Sequence, residues 1–245
     1  MRLNRWKYFA QDLARHYMAG LLLLGGTVFV LLGGLFGFLR SRTGTTLLLL
    51  AILVASCQPV AAQGIPGNAA QYQRELTRIV QQEWGLPAPV AVHAAQIHQE
   101  SAWRSRAESP VGAQGLSQFM PTTSAWIAEI YPDLGAAAPY SPGWAMRAQA
   151  RYNHWHWQRL KAPDACQHWA LSLSAYNGGL GWVQRDQRLA RAAGDDPGVW
   201  FGSVERYTNR AGWAKRENRG YVRRILRDLT PRYASAGWQG GEPCG

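Results

Sequence analysis

The sequence lacks the patterns that build β-sheets. Across its 245 residues there is little sustained alternation of apolar and polar residues, and no hairpin dipeptide joins two β-branched runs. Helical spacing recurs instead. One apolar face is formed by Tyr72, Leu76, Ile79 and Val80. Gly85 is a natural end for that helix, and Ser141-Pro142 opens another that runs toward Leu160. We therefore expect an all-α domain, for which the roughly 180 residues after the N-terminal region suffice.

Acidic residues are scarce relative to basic ones. The chain has 15 Asp and Glu against 26 Lys and Arg, a formal net charge of +11. Residues 1–42 hold six basic and one acidic side chain, and residues 185–232 hold twelve basic and six acidic ones. Such a field attracts anionic partners. No nucleic-acid recognition motif accompanies it, so we expect no nucleic acid among these partners.

The N-terminal region carries two apolar runs. Residues 21–39 are uncharged and mostly apolar and follow a basic stretch, so they could span a bilayer with the N-terminus in the cytoplasm. Residues 47–56 have the length of a signal-peptide core, and they lead to Cys57, a plausible lipidation site, or to an ordinary cleavage site at residues 60–62. Two export signals in tandem are redundant. Either translation begins after the first run, or residues 21–39 anchor the protein to the inner membrane.

In both cases the rest of the chain leaves the cytoplasm. We divide it into residues 1–64, a membrane anchor or signal segment with its linker, and residues 65–245, a single domain that we expect to be monomeric. Only three cysteines are present. If Cys57 is lipidated or removed, Cys166 and Cys244 remain as a pair in an oxidising compartment, and we predict a disulfide between them. The alternative is two unpaired thiols.

Glu100 stands near the end of an alanine-rich stretch with helical spacing. The core face of that helix is formed by Val90, Ala91, Ala94 and Ile97. Glu100 then emerges at the edge of this face, with one apolar wall and one open side. A carboxyl group in such a place can have the raised pKa that a general acid needs. Taken alone, a Glu-Ser pair is more often a solvated helix glutamate.

Three further motifs follow in order. GLSQFMP predicts a tight turn that presents Gln118, and Pro121 then offers a helix start. SAYNGG puts Tyr176 and Asn177 on the last turn of a helix that ends at its glycines. ENRGYV places Tyr221 on the inward face of the final helix, where its hydroxyl needs a partner. The simpler interpretations are a loop glutamine, a helix cap and a core tyrosine.

The joint pattern resembles the soluble lytic transglycosylases, a family that cleaves peptidoglycan and has a goose-lysozyme-like fold. The likeness covers roughly residues 75–230 and rests on Glu100-Ser101, Gly115-Leu116 with Gln118, the AYN triplet, and Tyr221-Val222. Ser117 departs from the methionine that usually follows Gly-Leu in the family, which puts the packing of that loop in question.

The resemblance implies that Glu100 is the sole catalytic acid and base and needs no cofactor. It would cleave the bond between N-acetylmuramic acid (MurNAc) and N-acetylglucosamine (GlcNAc) and leave a 1,6-anhydro ring. Ser101, Gln118, Tyr176 and Asn177 would hold the substrate, while Tyr221 would hydrogen-bond Glu100. The partners would be peptidoglycan strands and, through the N-terminal segment, the bacterial membrane. Under this interpretation the anionic partners expected for the basic C-terminal region are cell-wall peptides or phospholipid headgroups.

Other aromatic and polar residues are less specific. Twelve tryptophans are many for this length, and Trp103, Trp126 and Trp155 are candidate platforms for sugar rings, although most tryptophans lie in cores. His154 and His156 suggest a metal, but side chains two apart point to different sides of a helix, so we expect no metal site.

Two other function classes remain open. A hydrolytic muramidase of the goose type would need a second carboxylate, for which Glu108 is the nearest candidate. A membrane-tethered wall-binding component of a secretion or conjugation system would not need Glu100 at all. The general pattern looks most like phage or prophage endolysins, but it also suits secretion and conjugation systems that open the wall.

Overall fold

The computed structural model describes residues 64–245, and this part of the chain is helical. Its α-helices are α1 (Gln73–Trp84), α2 (Val90–Ser101), α3 (Pro121–Ile130), α4 (Pro142–Trp157), α5 (Ala165–Gly178), α6 (Leu180–Ala192), α7 (Gly212–Arg223) and α8 (Thr230–Ser235). Short 3-10 helices occupy Gly67–Tyr72, Pro132–Leu134 and Val204–Arg206, and a π-helical segment, Arg224–Leu229, joins α7 to α8. The only β-structure in these residues is a pair of isolated bridges at Gln114. The all-α prediction is therefore confirmed for residues 64–245.

The predictions for residues 1–63, including the two apolar runs and lipidation of Cys57, lie outside the described residues. From Gly64 onward, no helix has both the length and the apolar character needed to cross a bilayer.

Glycine and proline set the helix boundaries much as the sequence predicts. Helix α1 ends before Gly85, α3 begins at Pro121 and α4 begins at Pro142. Helix α5 ends at Gly178, and Gly179 follows with a positive φ of 90° that a residue without Cβ adopts readily. Helix α4 stops at Trp157, three residues before the expected Leu160.

Helix α2 lies at the centre of the core. It packs against α1, the π-helical segment and α8, while α4 packs on α1 and α5. The predicted core face of α2 is fully buried, and so are His93 and Gln96 on its other sides. A helix buried nearly all round leaves only its last turn near the surface. That last turn carries Glu100.

The C-terminal tail is fastened to this core. Cys166 at the start of α5 forms a disulfide with Cys244, and their Cα atoms lie 4.7 Å apart. The carbonyl of Gln239 accepts a hydrogen bond of 3.1 Å from the backbone N–H of Ala91, at the start of α2. The tail thus covers the N-terminal end of α2, the helix that presents Glu100 at its other end.

Removing the disulfide should destabilise the domain. The bridge closes a chain separation of 78 residues, so on the chain-entropy model Cys166→Ser with Cys244→Ser should lower the free energy of unfolding by about 4 kcal/mol. Denaturant unfolding of the variant and of the oxidised wild type measures the difference. Wild type treated with a reductant is the control and should match the variant. Equal stability of all three samples would contradict the prediction.

Candidate active site

Glu100 faces a cleft of about 320 Å³ at the end of α2. Helix α2 ends because Ala102 takes a left-handed conformation, with φ of 49°. The carboxyl group is half-buried. The cleft is lined by Glu100, Ser109, Val111, Ala113, Gln118, Phe119, Met120, Thr123, Tyr152, Tyr176, Asn177 and Glu217. Its walls therefore combine aromatic rings with a few polar groups, as is common in ligand sites.

A chain of buried hydrogen bonds holds the Glu100 carboxyl from behind. The hydroxyl of Tyr221 donates to Glu100 Oε1 at 2.6 Å, and Gln96 Nε2 donates to the Tyr221 hydroxyl at 3.1 Å. Asn153 Nδ2 in turn donates to Gln96 Oε1 at 2.7 Å. Burial and the charge of Glu100 raise the pKa of Tyr221 well above its ordinary value, so the phenol keeps its proton. Tyr221 is therefore a permanent donor to Glu100.

The surroundings of Glu100 favour its protonated form. The pKa of Glu100 is raised to about 8: burial is the largest cause, the hydrogen bond from Tyr221 opposes it, and the negative charge of Glu217 adds a smaller increase. A carboxyl with this pKa is mostly protonated at pH 7, so it can donate a proton to a ligand in the cleft. Among the cleft residues, Glu217 is the second carboxylate. Sequence reasoning missed Glu217 because it treated ENRGYV only as the setting for Tyr221.

The GLSQFMP loop has one position, Gly115, that only glycine can occupy. Gly115 has a φ of 74°, and a Cβ atom there would lie 1.8 Å from the carbonyl oxygen of Pro139. Gln118 also has a positive φ, 48°, which for a non-glycine residue costs about 1–3 kcal/mol. Its Nε2 donates to the carbonyls of Ala107 and Gly115 at 3.2 and 2.9 Å. These bonds fix the side-chain amide, whose Oε1 accepts no hydrogen bond from the described residues.

Ser117 fastens this loop to two helices. It is fully buried, and its Oγ donates to the carbonyl of Ala145 in α4 at 3.2 Å. Its own carbonyl accepts a hydrogen bond of 2.8 Å from the hydroxyl of Tyr176 in α5. The residue that departs from the family pattern is thus packed and hydrogen-bonded, and Tyr176 presents its ring to the cleft with its hydroxyl already engaged.

Asn177 is oriented by Asn218, a residue that the sequence analysis did not single out. Asn218 Nδ2 donates to Asn177 Oδ1 at 2.8 Å and to the carbonyl of Ser174 at 3.0 Å. Asn218 Oδ1 accepts from Ser174 Oγ and from Arg219 Nη1, at 2.8 and 2.9 Å. Because Asn177 Oδ1 is occupied, its Nδ2 donor is the group that faces a ligand. Asn218 lies within the ENRGYV motif, but nothing in the sequence indicates that its side chain orients Asn177.

A buried ion pair anchors Arg219. Its Nη2 donates at 3.0 Å to Asp186 of α6, a fully buried carboxylate, and Arg210 Nη2 lies 3.6 Å from the same oxygen. A buried carboxylate needs such partners. This pair joins α6 to α7 beside the Asn177 end of the cleft.

The cleft brings together four of the six predicted site residues. Glu100, Gln118, Tyr176 and Asn177 line it, and Tyr221 lies behind Glu100. Ser101 does not line it: the side chain is buried, and its Oγ donates to the carbonyl of Ile97 at 3.4 Å.

The candidate sugar platforms divide in two. Trp103 is 1% exposed and donates from Nε1 to the hydroxyl of Tyr233, so the structure contradicts a platform role for it. Trp126 and Trp155 instead border a second groove of about 330 Å³, hereafter the aromatic groove. Thr123 and Tyr152 line both this groove and the Glu100 cleft, which makes the two contiguous.

The two histidines considered as metal ligands, His154 and His156, lie in different surroundings. His154 Nδ1 lies 3.1 Å from Glu83 Oε1, whereas His156 is buried and its pKa is lowered to about 3, chiefly by burial. Within residues 64–245 no group of three or more His, Cys, Asp or Glu side chains is arranged to hold a metal ion.

Comparison with known proteins places this site in a family context. Residues 75–197 match the family model described as the transglycosylase SLT domain. The membrane-bound lytic murein transglycosylase F of Shewanella halifaxensis is 30% identical over 135 residues, which cover 53% of this chain and 26% of that protein. The soluble lytic murein transglycosylase of Escherichia coli K12 is 29% identical over 145 residues, covering 58% and 20%. The chain thus spans about a quarter of the length of these relatives.

A solved structure shares the fold. The 70-kDa soluble lytic transglycosylase in complex with bulgecin A aligns with a TM-score of 0.51 at 24% identity, covering 71% of this chain and 26% of that one. At this identity the likeness concerns the fold alone.

Substituting Glu217 or Tyr221, the two neighbours of Glu100, should shift the pKa of Glu100 in opposite directions. Glu217→Gln removes a negative charge and should lower the pKa from its wild-type value of about 8, whereas Tyr221→Phe removes the stabilising donor and should raise it. Carboxyl ¹³C NMR titration of labelled glutamate measures each value.

The control for this titration is Glu108→Gln. Glu108 is exposed, lies outside the cleft and accepts a 2.9 Å hydrogen bond from Tyr140, so its removal should leave the Glu100 pKa unchanged. A wild-type Glu100 whose pKa lies near the ordinary value of 4.5 would contradict its assignment as a proton donor at neutral pH.

Proposed function

The chain belongs to the transglycosylase SLT domain family, whose model matches half of it, and from this premise we propose that it cleaves peptidoglycan as a lytic transglycosylase. Residues 65–245 are the catalytic domain in this proposal. The observation that carries it is the half-buried carboxyl of Glu100, held by the buried hydroxyl of Tyr221 at the wall of an open cleft, where burial raises its pKa. The activities of the relatives belong to longer proteins, so the activity of this chain needs a direct measurement.

Glu100 acts as both acid and base in the proposed reaction. Its proton goes to the glycosidic oxygen as the bond from that oxygen to C1 of MurNAc breaks, which releases the O4 hydroxyl of GlcNAc. The C6 hydroxyl oxygen of the same MurNAc then forms a bond to C1 and closes the 1,6-anhydro ring. The Glu100 carboxylate takes up the C6 hydroxyl proton and returns to its starting state. No water is consumed, so one carboxyl group is enough.

The raised pKa suits both halves of this cycle. The acid is mostly protonated at neutral pH, and its conjugate base is strong enough to remove a hydroxyl proton. Tyr221 hydrogen-bonds the carboxylate form and so stabilises the charge that appears midway. We expect activity to fall above about pH 8 as Glu100 loses its proton.

Two fixed amides are the proposed substrate contacts. Gln118 presents a carbonyl oxygen and Asn177 presents an N–H donor, which together match the N–H and C=O of an N-acetyl group. The rings of Tyr152 and Tyr176 offer apolar walls for the sugar. A direct contact from Ser101, expected from the resemblance, is not supported by its buried position.

The alternative is a hydrolytic muramidase, and Glu217 is the observation that favours it. A hydrolase needs a second carboxylate to activate water. Glu108, the candidate from sequence, lies outside the cleft, but Glu217 lines it and faces Glu100 closely enough to raise its pKa. In the transglycosylase proposal Glu217 tunes Glu100 instead.

Mass spectrometry of the products from purified peptidoglycan separates these functions. The full-length protein should release fragments with anhydro-MurNAc ends. Reducing ends, one water heavier, would establish the hydrolase instead. Glu100→Gln should lower the rate by about 10²–10⁴-fold, and Glu217→Gln should keep the product and most of the rate. Under the hydrolase mechanism Glu217→Gln would be as damaging as Glu100→Gln.

The Glu100→Gln variant also distinguishes a wall-binding component that has no catalytic activity. Such a protein would keep its biological activity after Glu100→Gln. Release of no product by the folded wild-type protein would also favour this class over either enzyme.

We propose further that the domain works in the periplasm or on the periplasmic side of the inner membrane. The support is the pair of apolar runs in residues 1–63, with Cys57 as a lipidation site. Host lysis by a phage and local opening of the wall by a secretion or conjugation system both suit this location.

The mature N-terminus tests the export proposal. Cell fractionation followed by intact-mass analysis should find the protein in the envelope, either with residues 21–39 retained as an anchor or cut at Cys57 or at residues 60–62. A mature form that begins before residue 21 would exclude the late translation start. A protein confined to the cytoplasm would contradict export altogether.

A further inference from the structure

A second concave surface, larger than the Glu100 cleft, is strongly basic. This basic groove measures about 800 Å³ and lies between the end of α4, the outer face of α6 and residues 195–198. It is lined by Arg159, Leu160, Lys161, Ala162, Pro163, Gln184, Gln187, Arg188, Arg191, Asp196, Pro197 and Gly198. Four cationic side chains therefore surround one carboxylate.

The four cations are available to a ligand. Arg159, Lys161, Arg188 and Arg191 are all exposed, and none forms an ion pair with another residue in the range 64–245. Other arginines of the same range do find carboxylates, as Arg223 does with Glu205. Like charges gathered around one groove repel each other unless an anion lies among them.

The single carboxylate in the groove is partly engaged. Asp196 Oδ1 accepts a 2.7 Å hydrogen bond from the backbone N–H of Gly198, so it stabilises its own turn. It cannot neutralise four cations, and the groove keeps a net positive charge of about three.

The basic groove adjoins the path that leads from Glu100. The Glu100 cleft and the aromatic groove share Thr123 and Tyr152. On the far side of the aromatic groove, the guanidinium of Arg159 lies 3.9 Å from the ring centroid of Trp155, and its Nη1 donates to the Trp155 carbonyl at 3.0 Å. Arg159 thus connects the two grooves, because it lines the basic groove and stacks on Trp155, which lines the aromatic groove.

We propose that the basic groove binds the carboxylate-bearing peptides attached to the glycan strand. This inference rests on the proposed function. A strand that extends from Glu100 across Trp126 and Trp155 brings the peptides of neighbouring sugar units to Arg159 and the cations beyond it. Guanidinium groups bind carboxylates through paired hydrogen bonds, so three arginines and a lysine suit a peptide with several free carboxylates.

Phospholipid phosphate is the rival ligand, and the position of apolar side chains argues against it. A surface that sits on a bilayer usually adds apolar side chains that enter the headgroup region. The large apolar residues exposed within residues 64–245 are Leu86, Val111, Met120, Tyr140 and Trp213. None of them lines the basic groove.

Binding to strands with and without peptides tests the proposal. The full-length protein carrying Glu100→Gln, which prevents cleavage, is co-sedimented with peptide-bearing glycan strands and with strands stripped by an amidase. Adding Arg188→Gln and Arg191→Gln should weaken binding to the peptide-bearing strands about five-fold, the effect of two exposed ion pairs. Binding to stripped strands should not change.

The matched control is Arg74→Gln with Arg78→Gln in the same background. These two arginines are exposed on α1, outside the groove, and their removal changes the charge equally. The control should bind both kinds of strand as the parent does. An equal loss in the control and the groove variant would overturn the proposal, because it would reflect net charge alone.

Three further results would overturn the proposal. The first two are unchanged binding of the groove variant to peptide-bearing strands, and an equal loss of its binding to stripped strands. The third is a loss of binding seen only with phosphatidylglycerol vesicles, which would assign the groove to phospholipid headgroups. Failure of the proposed function is a separate result. It would appear as absence of anhydro products from the wild type, whether or not the groove variant discriminates between the two kinds of strand.

Discussion

The hydrogen bond between Tyr221 and Glu100 joins α7 to α2, and these two residues are 121 positions apart in the chain. Both residues are needed, because burial raises the pKa of Glu100 while the Tyr221 hydroxyl fixes the carboxyl in place and stabilises its charged form. The amides of Gln96 and Asn153 extend the connection to α4. One line of hydrogen-bonded polar groups through an apolar core therefore connects three helices.

The π-helical segment between α7 and α8 changes the direction in which side chains point along this continuous helical run. Tyr221 and Tyr233 both face α2: the first binds Glu100, and the second accepts from Trp103 and contacts His98. Residues twelve apart in a regular α-helix differ by about 120° in direction. One extra residue in a π-turn reduces the difference to about 20°. The wider turn thus lets this helical run contact Glu100 through Tyr221 and the core through Tyr233.

Local signals predicted the helices but not all of their neighbours. Proline and glycine marked the ends of α3, α4 and α5, and apolar spacing identified the buried faces of α1 and α2. The pairing of Glu100 with Tyr221 came from the family resemblance, since spacing within one helix says nothing about a residue on another. Periodicity did not separate cleft from core at single positions: Ser101, at the end of α2, is buried, whereas Glu217, in the middle of α7, is exposed and lines the cleft. Trp103 was misjudged because the sequence does not tell a buried indole from an exposed one.

The distribution of charge follows from what Glu100 requires. A cation beside it would favour the carboxylate and lower the pKa, so a strongly basic protein must keep its arginines away from the acid. The lining of the Glu100 cleft contains no Lys or Arg, and its other charged residue is Glu217. Arg219, which lies two residues after Glu217 of the cleft lining, is paired with the buried carboxylate of Asp186. Four of the cations that form no ion pair line the basic groove, beyond Trp155. The separation keeps these cations away from Glu100, so the pKa of its carboxyl stays raised, and it concentrates positive charge where an anionic ligand can bind.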